Sequence, residues 1–313
     1  MIYHLLAFIT ISIWGTTFVS TKMLLTYGLT PAAIFFMRFA MAYIGMAAAQ
    51  CIQNRRTHHL TTHGSANGSR WFCRSWQDEL KMVVAGLAGG SVYFLTENTA
   101  LQKAMAGNVS LIVCLAPLIT ALFARLFHLE KQAGAKLWIG SVIAFVGVAF
   151  VAYGSMGHGT ASAPLLGNVL ALMAAISWSL YQLIIKPLGS KYGTLTLTRK
   201  VFGYGILSIA PVVWFEDPIP WQMLSTSVVW GNLLFLGLIA SLLCYAVWNK
   251  VTERIGALVT ANYIYLNPLV TCIASYLVLD ERLTISMMVG GIAILTGLYI
   301  VIAPKPHRRK QTH

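Results

Sequence analysis

The chain has 313 residues, 57% of them hydrophobic and 10% charged, whereas a soluble domain carries about 25% charged side chains. This apolar excess excludes a water-soluble globule, a disordered chain and a nucleic-acid binder, and it requires a lipid-facing surface. The formal charge of +13 therefore reads as topology rather than as an acidic partner, because basic residues collect on the cytoplasmic side of membrane proteins.

A membrane helix takes about 20 apolar residues. In chain order the apolar stretches are 3–24, 33–51, 82–101, 108–127, 137–153, 165–185, 201–215, 228–248, 257–279 and 285–303. They predict an all-α polytopic protein with ten transmembrane helices. The first stretch lacks a basic leader and a small-residue cleavage site, so it is expected to be a retained helix. Of the 22 Lys and Arg, only Lys22, Arg38, Lys103 and Arg282 fall on one side of this arrangement. That asymmetry puts both termini and the loop 52–80 in the cytoplasm. Three of the five cysteines (Cys114, Cys244 and Cys272) lie inside apolar runs, and Cys51 and Cys73 flank a loop expected to be reduced, so no disulfide framework is implied.

The sequence also repeats itself. Pro117 and Pro268 stand 151 positions apart (268 − 117), and the same offset relates Glu130 to Glu281 and Gly140 to Gly291. Leu118, Thr120 and Lys131 align with Leu269, Thr271 and Arg282 at that spacing. Two units of five spans, 1–155 and 156–313, follow. Five is odd, so the second unit enters the membrane from the opposite side, which is the inverted repeat of many secondary transporters.

The residues that carry a family resemblance are Ile13 to Phe18 (Ile-Trp-Gly-Thr-Thr-Phe), Met37 to Ala40, and Ala106-Gly107-Asn108 through Pro117 to Glu130. In the second unit they are Ser177-Trp178-Ser179, Asn262, Pro268 and Asp280 to Thr284. Together they resemble an EamA-like protein of the drug/metabolite transporter superfamily, over nearly the whole chain. The resemblance implies a ten-helix carrier of a bacterial-type inner membrane, often an exporter of amino acids or related metabolites, with a cavity between two inverted bundles. Glu130-Lys131-Gln132 lacks the Thr usual after the loop Glu in this family, and the loop after Cys51 is longer than usual.

Glu97 interrupts a helix otherwise made of Gly, Ala, Val and Leu, where a carboxylate costs about 2.5 to 3.5 kcal/mol on insertion scales. It is a candidate for proton coupling or for binding a substrate ammonium group; the bland alternative is a wetted helix end near Lys103. Arg38 is a candidate clamp for a substrate carboxylate, or else snorkels to headgroups or pairs with Glu97. Trp14, Thr17, Asn98, Trp178, Tyr181, Gln182, Asn262, Tyr265 and Asn267 complete the expected substrate-binding set, although hydrogen bonding between helices explains them as well. Tyr245, Trp248 and Asn249 are read as an interfacial belt. Pro117 and Pro268 are candidate hinges, and Gly86, Gly90, Gly290, Gly291 and Gly297 are read as close helix contacts.

His58, His59 and His63 lack the companions of a closed metal site, so a solvated loop is expected there. Arg70, Trp71, Phe72, Arg74 and Trp76 are expected to rest on the anionic inner leaflet. No phosphate loop or nucleophile–base spacing occurs, so neither ATP hydrolysis nor a cofactor is expected. The expected partners are a small-molecule substrate, membrane lipid and protons, with the protein a monomer or homodimer. The expected activity is secondary transport by alternating access, as an exporter of amino acids or similar metabolites. Two alternatives stay open: broad efflux of lipophilic cations, and a membrane-embedded lipid-modifying enzyme.

Overall fold

The structure, a computed structural model, describes residues 1–60, 72–127, 135–155, 162–216, 221–255 and 263–302. Among these residues every regular element is a helix. Two long helices open the chain, α1 (Ile2–Thr26) and α2 (Pro31–Leu60). Next, α3 (Trp76–Gly86) widens into a π-helical segment (Leu87–Val92) and continues as α4 (Tyr93–Lys103). Then come α5 (Ala106–Val113), α6 (Ala116–Leu126), α7 (Ala135–Ser155), α8 (Pro164–Tyr192), α9 (Thr194–Phe215) and the short α10 (Trp221–Leu224). In the last part α11 (Ser227–Leu234) widens into a second π-helical segment (Phe235–Leu243) before α12 (Cys244–Ile255). A 3-10 turn (Tyr263–Leu266) leads into α13 (Asn267–Leu279), and α14 (Ile285–Ile302) follows.

Five stretches are long and apolar enough to cross a membrane: Ile2–Thr26, Pro31–Ile52, Ala106–Leu126, Pro164–Gly189 and Ser227–Trp248. Shorter apolar helices cover Trp138–Val151, Asn267–Leu279 and Ile285–Gly297. Their outer faces carry large exposed apolar side chains, such as Trp138, Val142, Leu277 and Ile292. A water-soluble protein does not expose so much apolar surface.

The helix boundaries have local causes. Ser75 caps α3 by accepting from Gln77 N–H at 3.3 Å, and Asp78 and Glu79 place negative charge in its first turn, where the helix dipole favours it. The seventh predicted stretch begins earlier than its apolar run, since α9 takes in Thr194 to Lys200 as well. The fourth is not continuous. Pro117 has no N–H to donate, so the chain turns at Cys114 and Leu115 between α5 and α6. Thr120 Oγ1 donates back to Ala116 O at 2.8 Å in the first turn after that break. Pro268 stands at the start of α13, after the 3-10 turn, and Thr271 Oγ1 makes the matching bond to Asn267 O at 3.0 Å.

Glycine sets the closest contact. A Cβ on Gly147 would meet Gly290 O at 2.6 Å, and one on Gly297 would meet Gly140 O at 2.4 Å. α7 and α14 therefore touch backbone to backbone and run antiparallel, because rising numbers in one helix meet falling numbers in the other. Gly86 and Gly90 serve α9 in the same way: a Cβ on Gly90 would meet the Cα of Gly205 at 3.1 Å. All five cysteines are free.

Candidate functional site

α2 and α4 each carry a buried charge. Arg38 and Glu97 are each 7% exposed. The Arg38 Nε donates to Ser241 Oγ at 2.7 Å, and its guanidinium lies 5.1 Å from the Phe39 ring centre and 5.2 Å from that of Phe94. Glu97 Oε1 accepts from the Tyr93 hydroxyl at 3.1 Å, one helical turn earlier. The two groups are near enough for their charges to act on each other, yet they form no ion pair within 4 Å. Among the described residues, neither Nη nitrogen of Arg38 and not the Glu97 Oε2 makes a hydrogen bond. Buried charges are normally paired or fully hydrogen-bonded; these two are only half satisfied.

Rings surround the pair in an unbroken series. Tyr181 packs on Trp178 (4.9 Å between centres), Trp178 on Tyr93 (5.0 Å), and Tyr93 edge-on to Phe94 (4.6 Å). Phe94 continues to Phe39 (4.6 Å), Phe39 to Phe202 (4.5 Å), Phe202 to Tyr245 (5.5 Å) and Tyr245 to Trp14 (5.3 Å). Trp248 closes on Trp14 at 5.1 Å. Tyr245 and Trp248, both half-buried, thus join this ring series through Trp14 of α1. Asn249 has no described side chain.

The two π-helical segments build this site. A wider turn displaces carbonyls from the regular ladder and leaves them for side chains, and such turns concentrate at functional sites. In the first, Ala88 O accepts from Ser177 Oγ at 2.7 Å, and the missing side chain of Gly89 leaves room for the Tyr181 ring, which a Cβ would meet at 2.4 Å. In the second, Ala240 O accepts from Trp14 Nε1 at 2.9 Å, and the adjacent Ser241 holds Arg38.

The other expected residues divide. Asn98 is committed to the backbone, its Nδ2 donating to Pro31 O at 3.0 Å. Thr17 likewise donates to Trp14 O at 2.6 Å. Gln182 is half-buried without a hydrogen bond among the described residues. Asn267 keeps a buried Oδ1 without a partner, beside Gly15 of α1 through its own carbonyl. Asn262 lies outside the described residues, as does the side chain of Tyr265; so do Glu130 to Gln132, His63, Arg70 and Trp71, and the side chains of His58 and His59. Among the described residues no group of His, Cys, Asp or Glu is placed to hold a metal ion. Phe72 and Trp76 are exposed, as a segment resting on a surface requires.

Tyr93, Ser241, Phe39, Phe94 and Phe202 were not singled out from the sequence. Tyr93 had a signal, since it stands four residues before Glu97 on one helix face. Ser241 had only its polarity within an apolar run.

Two further polar clusters lie away from this centre. Lys22 Nζ contacts Glu281 Oε1 and Ala104 O, both at 2.6 Å, while Glu281 accepts from Ala106 N–H at 2.9 and 3.0 Å and so caps α5. The chain reaches this position because Asp280 turns left-handed (φ 53°), a conformation that Asp tolerates. At the start of α3, Glu79 Oε1 accepts from Lys200 Nζ at 2.5 Å and from the Tyr204 hydroxyl, and Cys73 N–H bonds the other oxygen at 2.6 Å. Burial pushes the Glu79 carboxyl up, but these hydrogen bonds outweigh it and bring its pKa from 4.5 to about 2. Beside it, Asp78 accepts from Tyr192 at 2.8 Å and Lys191 at 3.3 Å, which holds it below the usual carboxylate range.

The profile of the EamA-like transporter family matches residues 1–153 and again 165–303. The chain belongs to that family. It is a membrane protein of the drug/metabolite transporter type, and its family membership implies a small-molecule substrate. It is 26% identical over 294 residues to an uncharacterized transporter of Archaeoglobus fulgidus, covering 94% of this chain and 96% of the relative. A probable terminal-alkyne amino-acid exporter of Streptantibioticus cattleyicolor is 26% identical over 238 residues, 74% of this chain and 76% of its own. A solved crystal structure shares the fold with a TM-score of 0.62 at 18% identity, over 95% of this chain and 94% of that one.

Proposed function

We propose that this EamA-like transporter is a secondary carrier that exports amino acids or similar zwitterionic metabolites by alternating access. It would cross a bacterial-type inner membrane ten times, as two inverted five-helix repeats (1–155 and 156–313), with both termini cytoplasmic. The observation that carries the substrate reading is the half-satisfied state of Arg38 and Glu97. An α-carboxylate would take the open Nη donors of Arg38, and an ammonium group or a proton the open oxygen of Glu97. Each charge then gains in the bound state what it lacks without ligand.

Several features support the repeat. The first π-helical segment, 87–92, falls on residues 238–243 of the second when moved by the offset of 151 (238 − 87) that relates the prolines. The helix breaks at Pro117 and Pro268 carry the same threonine bond. α7 and α14, which the offset makes equivalent, pack antiparallel as inverted copies would. Pro117 and Pro268 remain the proposed hinges. The amino-acid exporter among the relatives favours the same substrate class. Efflux of lipophilic cations is disfavoured because the Phe39 and Phe94 faces already serve Arg38.

The test is solute movement in proteoliposomes. Labelled amino acids, cationic dyes and a lipid are offered with and without a pH gradient, and the solute is recovered and analysed. Transport of an unmodified amino acid is expected; recovery of a chemically altered solute or lipid would instead support an enzyme.

A further inference from the structure

The two polar clusters outside the centre share a property that the central pair lacks. Each is a satisfied ion pair, and each joins residues of 1–155 to residues of 156–313. Glu281 is 6% exposed and Lys200 5%, so neither is a loose surface contact. They also stand at opposite ends of the molecule. Glu79 is in the first turn of α3 and Ala104 follows the last residue of α4, so the helical stretch between them sets the clusters about 38 Å apart at about 1.5 Å per residue. The central pair lies between them, since Tyr93 and Glu97 belong to α4.

We propose that Lys22–Glu281 is the outer gate of the transport cycle and Glu79–Lys200 the inner gate. This rests on the inverted-repeat reading above. If one repeat rocks against the other, the contacts that cross between them at one end must part while those at the other end stay closed. An ion pair suits this role because it holds only at close range and its partners are rehydrated on opening. The second contacts of each gate reinforce it. Lys22 binds Ala104 O together with Glu281, and Tyr204 shares the Glu79 oxygen with Lys200. The Asp78 bonds to Tyr192 and Lys191 lie on the same side and cross between the same two units. Both ion pairs are formed in the structure, and the Arg38 and Glu97 pair lies between them.

Loss of one gate is expected to bias the cycle toward opening at that end. Lys22→Met removes the cross-link yet leaves Glu281 to cap α5, and Glu79→Gln weakens the inner pair. Cys244 is the reporter. It is buried, stands next to Tyr245, and is near enough to Arg38 to feel its charge. In a variant that keeps Cys244 as its only cysteine, labelling by a membrane-impermeant maleimide is followed in right-side-out and inside-out vesicles. Lys22→Met should raise labelling from outside about tenfold and lower it from inside; Glu79→Gln should do the reverse. Shifts of that size are ordinary for coupled conformational states. If both variants label equally from both sides, or neither departs from the parent, the pairs are structural and the gate assignment is wrong. Should Lys22→Met label like detergent-denatured protein, Lys22→Gln is run in its place, and Lys200→Met in place of Glu79→Gln, each with the same direction expected. A separate variant keeping Cys51, which is exposed near the end of the apolar part of α2, Pro31–Ile52, tests the topology. Labelling of Cys51 from outside would overturn the repeat and orientation reading, whereas labelling only from inside, with Cys244 unchanged by the substitutions, would overturn the gates alone.

Discussion

The ends of the molecule and its centre treat opposite charges in different ways. Lys22 and Glu281 meet at 2.6 Å and Lys200 and Glu79 at 2.5 Å, with further hydrogen bonds on each carboxylate. Arg38 and Glu97 are just as buried, but each is held by a neutral hydroxyl, Ser241 or Tyr93, and kept from the other. A pair that satisfies itself holds a conformation closed. Two charges that leave each other unpaired retain capacity for a ligand that carries both signs.

The comparison breaks most visibly at the centre. Arg38→Gln and Glu97→Gln should each lower transport about 10- to 100-fold, since a hydrogen bond to a charged group is worth about 1.5 to 3 kcal/mol. Arg38→Lys should not rescue, because Lys cannot bind Ser241 through a side nitrogen while offering a planar fork. Initial uptake rates in proteoliposomes check both expectations.

Packing between the equivalent helices should show next. Gly147→Val places side-chain carbon against Gly290 O and Ile294 N, and overpacking of this kind costs about 1 to 3 kcal/mol. Gly231→Val, where nothing lies within 4 Å of the added carbon, is the control. Thermal melts in detergent should fall for the first and hold for the second.

The inner end should respond to pH with a defined sign. Glu79 is depressed from 4.5 to about 2, so its stabilisation is complete above about pH 4.5 and fades as the pH falls toward 2. The melting difference between wild type and Glu79→Gln should therefore be largest at neutral pH and shrink across that window. The smallest effect is expected for Trp14→Phe, which keeps a ring against Tyr245 but loses the bond to Ala240 O, a change of about 1 kcal/mol.

Much of this was legible in the residues and some was not. Composition alone demanded apolar helices, because nothing else could cover so much hydrophobic surface. Pro117 and Pro268 announced breaks through their missing N–H. Glu97 and Arg38 stood out because a charge in an apolar run is costly. The π-helical turns left no such mark: Leu87 to Val92 and Phe235 to Leu243 have ordinary apolar sequences, and their carbonyls are claimed by Ser177 and Trp14 from distant parts of the chain. Arg38 and Ser241 are 203 positions apart, beyond any local pattern. The packing of Tyr245 and Trp248 on Trp14 left no mark either, because an amphipathic aromatic near a helix end suits a headgroup layer and a ring cluster equally.

The most direct measurement is equilibrium binding to purified protein of three matched ligands: an amino acid, the amine lacking its carboxylate, and the acid lacking its amine. The account expects the amino acid to bind at least about tenfold more tightly than either, Arg38→Gln to remove its advantage over the amine, and Glu97→Gln its advantage over the acid. Equal binding of the amine and the amino acid to wild type, unchanged in Arg38→Gln, would contradict it.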